Sequence, residues 1–250
     1  MDFKLMAEAF PKILDGLPVT MGLAASSLFI GFFLAIVIAL LRGSRFRPLA
    51  TAAYAFVYVF RGTPLLVQIF LIYYGSGQFE IIRESFLWPF LREAWWCAIL
   101  ALTLNTGAYT SEIIRGGIEA VPFGQIEAAK ACGMNAVMRF RRVVFPQAIR
   151  QALPAYGNEI ILMIKSTSLA STITLLEMTG IARKMISQTY KPLEIFLIAA
   201  VFYLALVFIV TRLVALIEYR LNPERRDAAR VPAAKDLQTA PIGDIDAGFR

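Results

Sequence analysis

Three ionisable side chains fall inside stretches of this sequence that are otherwise apolar: Arg61, Glu159 and Lys165. At bilayer depth each would cost about 2.5–3.5 kcal/mol on insertion scales, so such a residue faces water or finds a partner. Glu159 and Lys165 stand six positions apart, on different faces of a helix, and cannot pair locally. Each therefore needs a partner on another helix, a lipid headgroup or a solute. Asn158, Ser166 and Thr167 lie near Glu159 in the chain, and an earlier apolar stretch supplies Asn105 and Thr106. An acid among neutral hydrogen bonders suits a solute with an ammonium or guanidinium end. Two readings of Glu159 stay open on these residues. It attracts that cation into a cavity, or it clamps two helices together. Arg61, beside Gly62-Thr63-Pro64, reads as structural. A helix broken at Pro64 exposes backbone groups that need internal partners, and a guanidinium can supply several donors. Lys165 is read as a second structural charge. Glu112, Arg115 and Glu119 sit three and four positions apart, where local pairing is the simpler account.

Other chemistry is closed off by composition. The chain has no histidine and only two cysteines, one in an apolar run and one in a charged segment. A structural disulfide is not expected. Zinc or haem sites of the usual kind lack their ligands, and histidine-based acid–base catalysis is excluded. No convergent acid, base and nucleophile appears that would make an intramembrane enzyme. The stretch "IKSTS" ends as a phosphate-binding loop ends. The glycines that would wrap backbone N–H groups around a phosphate do not precede Lys165.

The elements that must position these residues are helices in lipid. Of 250 residues, 58% are hydrophobic and 17% charged, below the quarter expected of a soluble domain. Mean hydropathy is +0.63. The charges cluster and leave windows close to the roughly 20 residues that cross a bilayer as a helix. An all-α polytopic membrane protein with about five spans is expected, near residues 19–41, 50–74, 95–115, 153–174 and 195–217. Pro64 must break or kink the second. Arg42, Arg45 and Arg47, then Lys130, Arg139, Arg141 and Arg142, put both of those loops in the cytoplasm, with the N-terminus outside and the C-terminus inside. Residues 1–18 form an external amphipathic lead, lying flat on the membrane or packing on the bundle, with the first preferred. Its mixed charge does not suit a cleaved signal peptide. Tyr73, Tyr74, Trp88, Trp95 and Trp96 read as interfacial anchors. Residues 218–250, rich in Ala, Asp, Arg and Pro, read as a disordered cytoplasmic tail.

Between the third and fourth spans lies a polar segment, about 116–152, too short for an enzyme domain. Its first half, "VPFGQIEAAKACG", opens at Pro122, runs helical and stops at Gly133, a natural position for a left-handed C-terminal residue. Ala128, Ala129 and Ala131 thin that helix. Asn135 can cap a second helix, which Pro146 is expected to close. On spacing alone this is equally a helix for a partner's groove or a surface helix pair joining two spans.

Glu127-Ala128-Ala129, then Gly133, Val143 and Phe145-Pro146 resemble the EAA loop of ABC importer membrane subunits, with Val and Phe standing where Ile and Leu are usual. "FRGTPLLVQ", "ALTLNTGAYTSEIIRGGI" and "GNEIILMIKSTSLAS" are similar to permeases for polar amino acids, in particular the histidine/lysine/arginine/ornithine and octopine/nopaline group. The resemblance covers about residues 19–220. It implies the type I importer fold, with 19–217 as the permease domain and 116–152 as a coupling loop docked in an ATP-binding subunit. Glu127 would meet that ATPase, Ala128 and Ala129 would permit close docking, and Gly133 would make the bend. It implies two ATP-binding subunits that use ATP and Mg, none of it bound by this chain. It also implies a second, similar permease subunit, a periplasmic solute-binding protein, contact with membrane lipid, no nucleic acid, and a bacterial inner-membrane location. The solute would be a basic amino acid or an opine. A small secondary transporter working as a dimer is the rival reading. Such folds commonly show paired repeats, and no repeat is visible here.

Overall fold

The computed structural model describes residues 2–221; the part of the expected tail from 222 to 250 lies outside the described residues. Among the described residues every regular element is helical. In chain order these are α1 (Phe3–Leu14), α2 (Leu17–Arg42), α3 (Arg47–Gly62), α4 (Leu65–Phe70), α5 (Glu80–Arg83), α6 (Trp88–Leu91), α7 (Ala94–Glu119), α8 (Phe123–Ala131), α9 (Ala136–Arg139), α10 (Phe145–Ser166), α11 (Met178–Thr189) and α12 (Pro192–Leu221). A π-helical turn, Leu71–Gly75, extends α4. Another, Phe140–Val144, joins α9 to α10. A 3₁₀ stretch, Thr167–Ile173, follows α10.

Helical elements lie along all five expected stretches, the second in two pieces parted at Thr63–Pro64 and the fourth ending in the 3₁₀ stretch. The stretch Phe3–Arg42 and the helix Pro192–Leu221 are each long and apolar enough to cross a membrane alone. Two bent pairs qualify when joined: Arg47–Gly62 with Leu65–Gly75 at 106°, and Ala136–Ile173 with Met178–Thr189 at 44°. α7 has 26 residues, ample length, but carries Thr103, Asn105, Thr106, Thr110 and Ser111. It can carry them because it is the central helix, with twelve of its residues buried. Its most extensive contact is with α2, followed by α10.

Small residues set how close these helices come. A Cβ on Gly31 of α2 would stand 2.3 Å from Cγ2 of Thr106 and 3.3 Å from the Thr103 carbonyl. One on Gly157 of α10 would meet Val214 of α12 at 2.3 Å. Without a hydrophobic force between helices in lipid, such close backbone approach is a principal source of association. Leu23, Ala24, Ile69, Cys97, Ala98, Leu102, Met163 and Ile164 share one core where α2, α4, α7 and α10 meet. Both cysteines are free.

α1 packs on the bundle, the less favoured of its two expected arrangements. Ala9 and Ile13 are fully buried against Met178, Ala182 and Ile195 of α11 and α12, while Phe3 remains exposed. Its entry is fixed by Asp2, whose Oδ1 accepts the Leu5 N–H at 3.1 Å and whose Oδ2 accepts from Lys191 Nζ at 2.7 Å. That hydrogen bond holds the Asp2 carboxyl below its ordinary range and the Lys191 ammonium above its own.

α11 was not expected from the sequence. It begins at Glu177, fully buried, whose carboxylate accepts the Thr179 and Gly180 N–H groups at 2.9 and 2.8 Å. The Tyr203 hydroxyl of α12 donates to the same carboxylate at 2.7 Å. An N-cap side chain normally satisfies one or two free backbone donors; this one also ties α11 to α12.

Candidate functional site

The break in the second span builds the site. Thr63 and Pro64 are extended, with φ/ψ of −112°/144° and −63°/133°, so the ladder stops at Gly62 and restarts at Leu65. Pro64 cannot donate, and its ring disfavours helical geometry at Thr63. The freed acceptors find donors from Gln68, which is 6% exposed. Its Nε2 donates to the Phe60 carbonyl at 2.9 Å, the Thr63 carbonyl at 3.1 Å and the Thr63 hydroxyl at 2.8 Å. Asn105 Nδ2 adds contacts to Phe60 O at 3.3 Å and Gln68 Oε1 at 3.1 Å. The donors at the break are thus Gln68 and Asn105, where the sequence had suggested Arg61. The Arg61 guanidinium is engaged by Glu112 and the Tyr109 ring, whereas Gln68, four beyond Pro64, reaches back to the Phe60 and Thr63 carbonyls. The glutamine in "FRGTPLLVQ" was a signal available in the sequence, at one turn past the proline.

Beside the break lies a cleft of about 430 Å³, lined by Arg61, the Gly62–Leu65 stretch, Asn105, Tyr109, Glu159, Leu162, Met163 and Ser166. That lies within the size range of small-molecule sites, which pair an apolar wall with a few placed polar groups. Glu159 is 7% exposed, and its Oε1 accepts from the Thr106 hydroxyl at 2.7 Å. Its Oε2 accepts nothing from the described residues. One carboxylate therefore clamps α10 to α7 through one oxygen and lines the cleft.

The expected polar set is only partly gathered. Glu159, Thr106, Asn105 and Ser166 converge. Asn158 is exposed on another face of α10 and does not line this cleft. Thr167 is fully buried, with its hydroxyl donating to the Ile164 carbonyl at 2.7 Å. Both lie beside cleft residues in sequence, but a helix turns successive side chains about 100° apart. Lys165 is exposed and makes no ion pair among the described residues.

Arg61 goes to a charged cluster instead. Its Nη1 lies 3.7 Å from Glu112 Oε2, and its guanidinium sits over the Tyr109 ring, 5.2 Å from the centroid. Arg115 Nη2 reaches the same Glu112 oxygen at 3.0 Å and its Nη1 meets Glu119 at 2.5 Å. Arg42, at the end of α2, pairs with Glu112 as well. The local pairing expected among Glu112, Arg115 and Glu119 is present. Sequence spacing could not show two further arginines, from α2 and α3, on the same carboxylate.

At the other polar segment, α8 ends with Ala131 and Gly133 takes φ +74°, a left-handed bend at the expected residue. Asn135 Oδ1 accepts the Met138 N–H at 2.9 Å, so it caps α9 as anticipated. Pro146 does not close that helix. Ala136 to Ile173 is one continuous helical run, and Pro146 lies in the first turn of α10. The π turn Phe140–Val144 shifts the hydrogen-bond ladder just ahead of the proline, which accommodates the missing donor. Glu127 and Lys130 pair at 2.7 Å on the exposed face of α8, while Ala128 is exposed and Ala129 buried. Phe123 and Val137 present 71% and 76% of their surface.

Known proteins are similar to this chain over most of its length. The nopaline transport system permease protein of Agrobacterium fabrum is 57% identical over 240 residues, covering 96% of this chain and all of that one. The octopine transport system permease protein of Rhizobium meliloti is 58% identical over 223 residues, 89% of this chain and 91% of that protein. Among solved structures, an amino acid ABC transporter crystallised with histidines matches at a TM-score of 0.80 and 37% identity, covering 88% of this chain and 99% of that one. The fold is that of the type I ABC importer permeases. The family model for binding-protein-dependent transport system inner membrane components matches residues 27–223, and this chain belongs to that family.

Proposed function

We propose that this chain is the membrane-spanning permease subunit of an ATP-binding-cassette importer for basic amino acids or opines. The observation that carries the reading is the α8–α9 elbow. A left-handed Gly133 joins two short helices that expose Glu127, Ala128, Phe123 and Val137, a surface suited to docking in a partner's groove. Because α9 runs without interruption into α10, force on the elbow reaches Glu159 along one helix. Pro146 stands at that junction.

ATP and Mg are handled by two separate ATP-binding subunits. A periplasmic solute-binding protein delivers the substrate, and a second, similar permease subunit completes the path across the bacterial inner membrane. The N-terminus lies outside and the C-terminus in the cytoplasm. Glu159 draws the cationic end of the solute into the cleft, where Asn105, Thr106 and Ser166 supply neutral hydrogen bonds, and Arg61 and Lys165 are charges of the scaffold. The similarity to nopaline and octopine transport system permeases supports the solute class. A secondary transporter working as a dimer is not favoured, since the family match spans most of the chain.

The test is reconstitution in vesicles with the sister permease and the candidate ATPase. Co-purification, and ATP turnover that rises with loaded binding protein, supports the reading. Full-rate solute movement with no ATPase attached overturns it.

A further inference from the structure

Next to the Glu159 cleft is a second one of about 520 Å³, and Arg61, Gly62 and Tyr109 line both. The first cleft has its acid. The second is rich in cations: Arg42, Arg61 and Arg115 face Glu112, and Tyr54 and Tyr58 complete the wall. Counting Glu119 beside Arg115, three guanidinium groups meet two carboxylates, an excess of positive charge. Arg115 is held by both acids, and its buried Nε has no acceptor. Arg42 is held by Glu112 and lies over Tyr54, 5.6 Å from the centroid. Arg61 is the loose member. At 3.7 Å it is outside hydrogen-bond range of Glu112, its side chain is 44% exposed, and it donates no hydrogen bond among the described residues. Its Cζ stands over the Tyr109 ring, 5.2 Å from the centroid, a cation–π contact that supports the group. A planar guanidinium with open donors, held on an aromatic ring, is built for bidentate carboxylate recognition.

We propose that the second cleft is a carboxylate subsite, in which Arg61 takes an additional carboxylate of a solute whose cationic end lies at Glu159. The solute class is then an N-carboxyalkylated basic amino acid, which has one more carboxylate than the parent. This rests on the importer reading above and adds to it a residue that sets selectivity. Arg61 therefore does more than carry charge for the scaffold.

The experiment uses the complete importer in vesicles and reads initial uptake of octopine against arginine. Arg61→Gln lowers the octopine-to-arginine uptake ratio about tenfold, and Arg61→Lys, which keeps charge but loses the fork, restores part of it. A purely structural role lowers both solutes together and leaves the ratio unmoved, which overturns the proposal. Should Arg61→Gln fail to assemble, Tyr109→Leu removes the supporting ring while keeping the charge. A raised KM for octopine relative to arginine supports the site, and an unchanged ratio of KM values overturns it. Repeating the assay in vesicles of neutral and of anionic lipid separates the other source of an anion. If the effect of Arg61→Gln vanishes in wholly neutral vesicles, the cleft holds a lipid headgroup and the proposal fails. A wild-type importer that carries arginine but not octopine sinks this inference and leaves the importer reading standing; one that carries neither sinks both.

Discussion

Gly31 of α2 faces Thr106 of α7 so closely that a Cβ on Gly31 would stand 2.3 Å from the threonine methyl. The hydroxyl on the same threonine donates to Glu159 Oε1 at 2.7 Å. The absence of a side chain on one helix therefore places the hydrogen bond that orients an acid on a third. Packing and the candidate site are one structure at this point.

Gly31→Ala should therefore do more than destabilise. Overpacking a close helix contact costs about 1–3 kcal/mol, and here the strain falls on Thr106. The expected result is a lower unfolding midpoint in detergent together with reduced solute uptake. Gly116→Ala on α7, exposed, outside both clefts and with open space around its Cβ, is the control for adding a methyl. Equal effects at both positions would remove the special status of Gly31.

Replacing Glu159 by Gln keeps the shape and leaves an oxygen for the Thr106 hydroxyl, so assembly should be normal. What is lost is the charge. A hydrogen bond to a charged group contributes about 1.5–3 kcal/mol, so uptake of cationic solutes should fall on the order of tenfold or more. Lost assembly with no change in solute preference among the surviving complexes would assign Glu159 to the clamp alone.

Gly133 has φ +74° and nothing within 4 Å of its would-be Cβ. Gly133→Ala meets only backbone strain, about 1–2 kcal/mol in the left-handed region. Gly133→Asn, which visits that region more readily, should cost less. Gly133→Arg places bulk and charge at the elbow and should abolish uptake while leaving membrane insertion intact. Unimpaired uptake by Gly133→Arg would refute the coupling role, and insertion is checked by protease protection.

The docking of α1 should depend on pH at both extremes. The Asp2 carboxyl is held low, first by its hydrogen bond from Lys191, so its contribution is present above the ordinary value of 3.8 and disappears as pH falls below it. The Lys191 ammonium is held high by the same bond, so its contribution is present below the ordinary value of 10.5 and disappears as pH rises above it. Hydrogen exchange at the start of α1, corrected for intrinsic rates, should be slowest between these limits. Asp2→Asn keeps the helix cap but loses the ion pair, and should flatten the acid side of the profile. A wild-type profile that is already flat would show that Ala9 and Ile13 hold α1 without help.

The amino-acid pattern by itself determined the long apolar helical stretches, the break at Pro64, the bend at Gly133 and the cap at Asn135. Each follows from local chemistry: the length of an apolar run, a missing N–H, a permissive backbone, a side-chain acceptor three residues from its donor. It also showed Glu159 as the acid to watch, because a charge among apolar neighbours stands out in one dimension. Tertiary structure decided the rest. It separated Ser166 from Thr167 and Glu159 from Asn158, since a helix sends neighbours to different faces. It carried α9 through Pro146, because a π turn moved the ladder out of the proline's way. It brought Asn105 to the break, and Arg42 and Arg61 to Glu112. Those contacts join residues tens of positions apart, and only the packed path of the chain through space sets such distances.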